Sequence, residues 1–146
     1  MLHDTIQRQQ TLASGPAEDY QRALEATRAQ DYETATSAFE SFLSREPQHA
    51  KAWVSFAQMQ RKRLGCLGPS AADDACRSVL QRAMANAPDS GQVVQALGLL
   101  ELRSGRPDLA LPLLQAAVQK EPRLAPVLQW QAVREAAAGQ AGQQHP

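Results

Sequence analysis

The sequence SGQVVQALGLLELRSGRPDLALPLLQAAVQKEP, residues 90–122, holds two amphipathic segments separated by a turn and closed by a proline. Ser90 is suited to cap the first segment as a helix. Gly105 suits the left-handed residue that follows a helix, and Pro107 suits the first turn of the next helix. The second helix should end before Pro122, because the residue preceding a proline avoids the α region. This stretch therefore predicts a pair of helices.

The same pattern recurs along the chain and ends each time in a proline. Pro88 and Pro122 are 34 residues apart, whereas Pro47 and Pro88 are 41 apart, which is 34 plus an insertion of 7. A period near 34 indicates stacked helix pairs, and the insertion falls at Leu64 to about Ala71. The predicted organisation is a flexible leader (1–15), three helix pairs (about 16–49, 50–90 and 91–124), a C-terminal capping helix (125–138) and a flexible tail (139–146).

Local signals predict where several helices begin. Asp31 should cap the second helix, and Ser70 with Asp73 resembles a capping box at the start of the fourth. Pro112 removes a hydrogen bond within the sixth helix, so we expect a bend or a 3₁₀-like first turn there. The seventh helix should begin near Pro126. Its predicted apolar stripe is Leu128, Val133, Ala136 and Ala137.

Composition limits the classes of function. Apolar residues make up 43% of the chain, aromatic residues 5%, and the formal net charge is zero. Small residues with few aromatics favour packed helices over a sheet. The N-terminus does not resemble a secretory signal, and no stretch approaches the roughly 20 apolar residues that span a bilayer. We therefore expect a soluble, intracellular protein, of the cytoplasm or an organelle matrix, without a membrane partner.

Catalytic and metal-binding patterns are not found in the sequence. It contains no Gly-rich phosphate loop and no Gly-x-Ser-x-Gly elbow. The adjacent acids Asp73 and Asp74 diverge by roughly 100° on a helix, so they share a substrate atom poorly. Cys66 and Cys76 have too few neighbouring ligands for a zinc site and are expected as reduced thiols, the first in a loop and the second on a buried helix face. We predict no enzyme, no cofactor and no metal.

The third pair resembles a tetratricopeptide repeat, through Leu97-Gly98, Gly105, Ala110, Leu114, Ala117 and Pro122. The second pair is similar through Trp53, Phe56, Ala57, Cys76, Leu80, Ala83 and Pro88. The first is similar in its second helix, through Asp31-Tyr32, Ala35, Phe39, Leu43 and Pro47, although Phe42 replaces the usual alanine. The resemblance implies an all-α, right-handed superhelical solenoid of antiparallel helix pairs. It also implies a non-enzymatic adaptor, scaffold or assembly factor that binds a peptide or a partner subunit.

The sequence is also similar to a second family of repeats, which has the same fold. The second pair also resembles the half-a-tetratricopeptide repeats of RNA-processing scaffolds. The residues of its first helix that match are Trp53, Phe56-Ala57 and Gln60, and those of its second helix are Cys76-Arg77, Val79-Leu80 and Arg82-Ala83. Glu101 would be the matching acid of the next unit. This alternative implies RNA binding by the basic second pair. Residues 48–82 hold six bases and two acids, whereas residues 1–47 hold eight acids and four bases. The basic run Arg61-Lys62-Arg63 also suits the C-terminus of a helix, where cations oppose the helix dipole.

In both families the first helix of each pair lines the concave side of the stack. The resemblance therefore places twelve residues in a partner-binding groove: Lys51, Val54, Gln58, Arg61, Lys62, Gln92, Gln95, Leu99, Leu102, Arg103, Gln129 and Arg134. Val54 and Gln58 stand where the family's chaperone-tail clamp has Lys and Asn, so we do not expect that clamp in the second unit. For Trp130 on the capping helix the sequence allows two interpretations, a core position or an exposed interface.

Overall fold

The computed structural model describes residues 15–143, which form helices and turns without a strand. The α-helices are α1 (Pro16–Arg28), α2 (Tyr32–Arg45), α3 (Ala50–Arg63), α4 (Pro69–Asn86), α5 (Gly91–Arg103), α6 (Pro107–Lys120) and α7 (Gln131–Gln143). Two 3₁₀ helices, Gly65–Leu67 and Pro122–Gln129, lie between them. The predicted all-α class is confirmed. Within this range no helix has both the length and the hydropathy needed to cross a bilayer. The leader up to residue 14 and the last three residues of the tail lie outside the described part.

Several predicted helix ends are confirmed. The backbone N–H of Thr34 donates to the Asp31 side chain (3.3 Å), and that of Val93 donates to Ser90 Oγ (3.3 Å). Gly105 has a φ of +78°, the left-handed conformation that ends α5 without strain. Sequence reasoning missed one cap, His49, whose Nδ1 accepts from the backbone N–H of Ala52 at the start of α3.

The capping box predicted at Ser70 and Asp73 is wrong. Helix α4 begins at Pro69, and its N-cap is Gly68, which has a φ of 106° and caps without a side chain. Proline suits the first helical position, so the helix starts before Ser70. The Asp73 carboxylate instead contacts side chains of two other helices.

The predicted start of the capping helix is also wrong. Residues Pro122–Gln129 form a 3₁₀ helix that contains Pro126, and Trp130 is extended (φ −61°, ψ 139°). Helix α7 therefore begins at Gln131 and continues to Gln143. Proline lacks the N–H that an interior α-helical turn requires, which explains the delayed start. Within the predicted stripe Val133 is buried, Leu128 and Ala136 are half-buried and Ala137 is exposed. The expected 3₁₀ turn at Pro112 is not found, because α6 stays α-helical through that residue.

The chain divides into two compact units between Pro47 and Gln48. In the first unit α1 packs against α2, and the fully buried Ala23 and Ala35 let the helices approach closely. The ring of Tyr20 lies 5.3 Å from that of Phe42. The phenylalanine that departs from the repeat pattern is therefore accommodated by an aromatic contact within its own pair.

In the second unit α3 packs against α4, and α5 against α6. Helix α5 also contacts α3 and α4, so that the two pairs form one body. A Cβ at Gly98 would lie 2.9 Å from the Leu114 side chain, so glycine permits the close approach of α5 and α6. A small buried cluster joins Leu114 of α6, Val127 of the 3₁₀ helix Pro122–Gln129 and Val133 of α7.

Candidate partner-binding groove

A cavity of about 830 Å³ lies between α3, α4 and α5 in the second unit. We call this cavity the groove. Nine of the twelve residues predicted to face a partner line it: Lys51, Val54, Gln58, Arg61, Lys62, Gln92, Gln95, Leu99 and Arg103. The first helices of the second and third pairs therefore supply two neighbouring walls, as the helical period implies.

The other three predicted residues do not line the groove. Leu102 packs against the cluster around Leu114 and Val127, on the side of α5 that faces the end of the chain. Gln129 and Arg134 are exposed but lie outside the cavity. The prediction placed these two on one capping helix, whereas the 3₁₀ helix and the extended Trp130 separate Gln129 from α7.

The floor of the groove is apolar and comes mainly from α4. Ala72, Cys76 and Leu80 of α4 are buried there, together with Leu100 of α5. The repeat pattern assigned Cys76 and Leu80 to packing between helices and gave no sign that they also border a cavity. Two residues of the inserted segment, Gly65 and Pro69, line the groove as well. The insertion therefore shapes one end of it.

The walls carry four cations and no acid among the lining residues that the structure describes: Lys51, Arg61, Lys62 and Arg103. Asp73 lies beside two of them. Its Oδ1 is 3.5 Å from Arg61 Nε and 3.8 Å from Arg103 Nε, and its Oδ2 accepts a hydrogen bond from Ser104 Oγ (3.1 Å). We call Arg61, Asp73 and Arg103 the groove cluster. It joins α3, α4 and α5 at the surface.

The Cys76 thiol lies at the floor beside the groove cluster. Burial raises the pKa of this thiol, and the positive charges of Arg103 and Arg61 oppose that shift only in part. The thiol is therefore neutral at physiological pH. Cys66 is exposed in the 3₁₀ helix Gly65–Leu67, and both cysteines are free, as predicted.

A second group of charged residues lies between α4, α5 and the start of α6. Arg77 Nε donates to Glu101 Oε1 at 2.6 Å, and Arg77 Nη1 donates to Asp74 at 2.8 Å. Arg106 approaches Glu101 Oε2 to 3.7 Å. Only 3% of Glu101 is exposed, and its hydrogen bond raises the pKa of Arg77. We call Arg77, Glu101 and Arg106 the seam cluster, which stabilises the contact between the two pairs.

The aromatic and basic residues that resemble an RNA-binding scaffold make contacts within the protein. Trp53 is 2% exposed and therefore lies inside the packing of the helices. The Arg82 guanidinium lies 5.3 Å from the centre of the Trp53 ring, a cation–π contact. Trp130, by contrast, is 51% exposed, so its core interpretation is wrong.

In the part of the chain that the structure describes, no group of three or more His, Cys, Asp or Glu side chains could hold a metal ion. Comparison with protein-family models gives no match, and comparison with curated proteins gives none either.

Proposed function

We propose that the chain is a non-enzymatic protein-binding module of the tetratricopeptide type, and that its groove holds an extended peptide segment of a partner protein. One observation supports this most directly: nine of the twelve residues chosen from the repeat resemblance line one cavity with an apolar floor. In the proposed architecture the helix pairs continue as a right-handed superhelical solenoid, in which first helices form the concave side.

The chemistry of the groove suits an extended peptide. The buried floor residues Cys76 and Leu80 offer an apolar contact for one or two side chains of the ligand. The amides of Gln58, Gln92 and Gln95 can donate to and accept from a peptide backbone, whose hydrogen-bonding groups are unpaired in an extended segment. Each of these glutamines is exposed or half-buried.

Selection of peptides from a displayed random library, followed by affinity measurement, tests the proposal. Gln58→Trp would fill the groove, while Gln81→Trp places the same side chain on an exposed position of α4 outside it. We expect selected peptides to bind the Gln58→Trp variant at least about tenfold more weakly than wild type, and Gln81→Trp to change affinity less than about twofold. Equal effects of the two variants, or no enriched peptide, would contradict a peptide-binding groove.

A separate titration with RNA tests the RNA-scaffold alternative. Oligouridine is the probe, because single strands bind basic grooves without sequence preference. RNA binding requires an affinity that falls steeply with salt and is lost when Arg61, Lys62 and Arg63 are neutralised. Binding of that kind, without any groove-dependent peptide, would replace the proposed function.

A further inference from the structure

We infer that Arg61 and Arg103 form an anion subsite within the groove, which binds the side-chain carboxylate of an acidic residue in the partner peptide. The inference rests on the proposed function and specifies its ligand. It follows from how the two guanidiniums are held and from the hydrogen-bond donors that they leave unused.

Both arginines lie at the same end of the groove. Arg61 is in the last turn of α3, and Arg103 is the last residue of α5. Their Nε atoms approach one carboxylate oxygen, Asp73 Oδ1, at distances typical of an ion pair but too long for a hydrogen bond. Neither guanidinium donates a hydrogen bond to any other residue in the described range. The Nε of each arginine faces Asp73, so the four N–H donors on its two Nη atoms remain available to a ligand.

Asp73 acts as a positioning residue for the pair. Its other oxygen, Oδ2, accepts a hydrogen bond from the hydroxyl of Ser104, so the residue that follows α5 holds the carboxylate in place. A fixed negative charge between two guanidiniums lets them lie close together in spite of their mutual repulsion. Lys62 also lines this end of the groove and forms no ion pair with a residue that the structure describes. Three cations against one acid leave an excess of two positive charges, which favours an anionic ligand.

The position of the fourth cation indicates that the ligand carries a second anionic group. Lys51 is in the first turn of α3, so the rise along the helix places it about 15 Å from Arg61. An extended peptide covers that distance in about four or five residues. The apolar floor lies in the same groove. The matching ligand has two acidic residues about four or five positions apart and an aliphatic residue between them.

The test is a double-mutant cycle on the tightest peptide from the library selection. Each acidic residue of the peptide is changed to its amide, and the protein carries Arg61→Gln, Arg103→Gln or the control Arg134→Gln, which removes the same charge from an exposed site outside the groove. In wild type and in the control, we expect one acid-to-amide change to weaken binding roughly tenfold. In the Arg61→Gln and Arg103→Gln proteins the same change should cost less than about twofold.

Other outcomes overturn the inference. A groove-dependent peptide without acidic residues, or equal losses in all three variants, contradicts the subsite but leaves the proposed function intact. If amidating the peptide's C-terminus produces the tenfold loss instead, a terminal carboxylate is the ligand and the side-chain assignment fails. If no peptide distinguishes Gln58→Trp from Gln81→Trp, the proposed function and the subsite fail together.

Discussion

The groove cluster and the seam cluster use the same residue types in different ways. In the seam cluster Arg77 is 2.6 Å from Glu101 and also bonds Asp74, and the Glu101 side chain is 4% exposed. In the groove cluster Arg61 and Arg103 are 3.5 and 3.8 Å from Asp73, and their side chains are 43% and 44% exposed. Arg77 of the seam cluster is committed to folding contacts, whereas the groove arginines form no hydrogen bond to a residue that the structure describes. Within the second unit the seam cluster therefore contributes to folding stability, whereas the groove cluster suits the binding that we propose.

The largest expected effect follows from breaking the seam cluster. Arg77→Ala leaves the Glu101 carboxylate buried with only the more distant Arg106 opposite it. Loss of one partner of a buried ion pair typically destabilises by 3–5 kcal/mol, so we expect the free energy of unfolding to fall by about 3 kcal/mol. Denaturation in urea measures this loss.

Arg61→Ala is the matched control in the groove cluster. An exposed ion pair contributes at most about 1 kcal/mol, and Arg103 and Ser104 still contact Asp73 in this variant. We expect the free energy of unfolding to fall by less than about 1 kcal/mol. Similar losses from Arg77→Ala and Arg61→Ala would contradict the division between the two clusters.

A smaller effect is expected on the reactivity of the Cys76 thiol, which lies beside the groove cluster. The charges of Arg103 and Arg61 lower the pKa of the Cys76 thiol, while Asp73 raises it. Only the thiolate reacts with iodoacetamide, so Arg103→Gln should slow alkylation of Cys76 and Asp73→Asn should accelerate it. Mass spectrometry of digested protein gives the rates, with the exposed Cys66 as internal standard.

The raised pKa of Cys76 also determines how the stability of the fold depends on pH. Burial raises the pKa of Cys76, so the folded thiol stays neutral after the unfolded thiol begins to ionise near pH 9.0. The stability that the neutral thiol contributes is therefore complete below that pH and is lost as the pH rises further.

In the alkylation experiment the two variants should change the rate in opposite directions. If Arg103→Gln and Asp73→Asn both slow or both accelerate alkylation of Cys76, access of iodoacetamide to the thiol, rather than charge, controls the reaction.

The sequence is sufficient for features that depend on near neighbours. The apolar period predicts the helices, and the short-range caps at Asp31 and Ser90 are confirmed. One wall of the groove was predicted correctly, because Val54 and Gln58 lie on the first helix of the second pair. Each of these inferences uses residues within a turn or two of one another.

Features that depend on distant residues could not be predicted. Arg77 and Glu101 meet across 24 positions, and Asp73 and Ser104 across 31. Asp73, three residues after Ser70, resembled part of a local cap, because nothing in the sequence indicates that its partners come from α3 and α5. Cys76 fits a packing position equally well whether or not a cavity lies above it. Such contacts are set by how the pairs stack, which the period alone does not specify.

The most direct test of the groove is amide chemical-shift mapping of ¹⁵N-labelled protein during titration with the tightest selected peptide. We predict that the shifts concentrate on the groove-lining positions of α3, α4 and α5, including Gln58, Cys76 and Gln95. Residues of the seam cluster and of α6 should change little. Shifts that concentrate instead around the exposed Trp130 and α7 would show that the partner binds elsewhere, and would contradict the proposal.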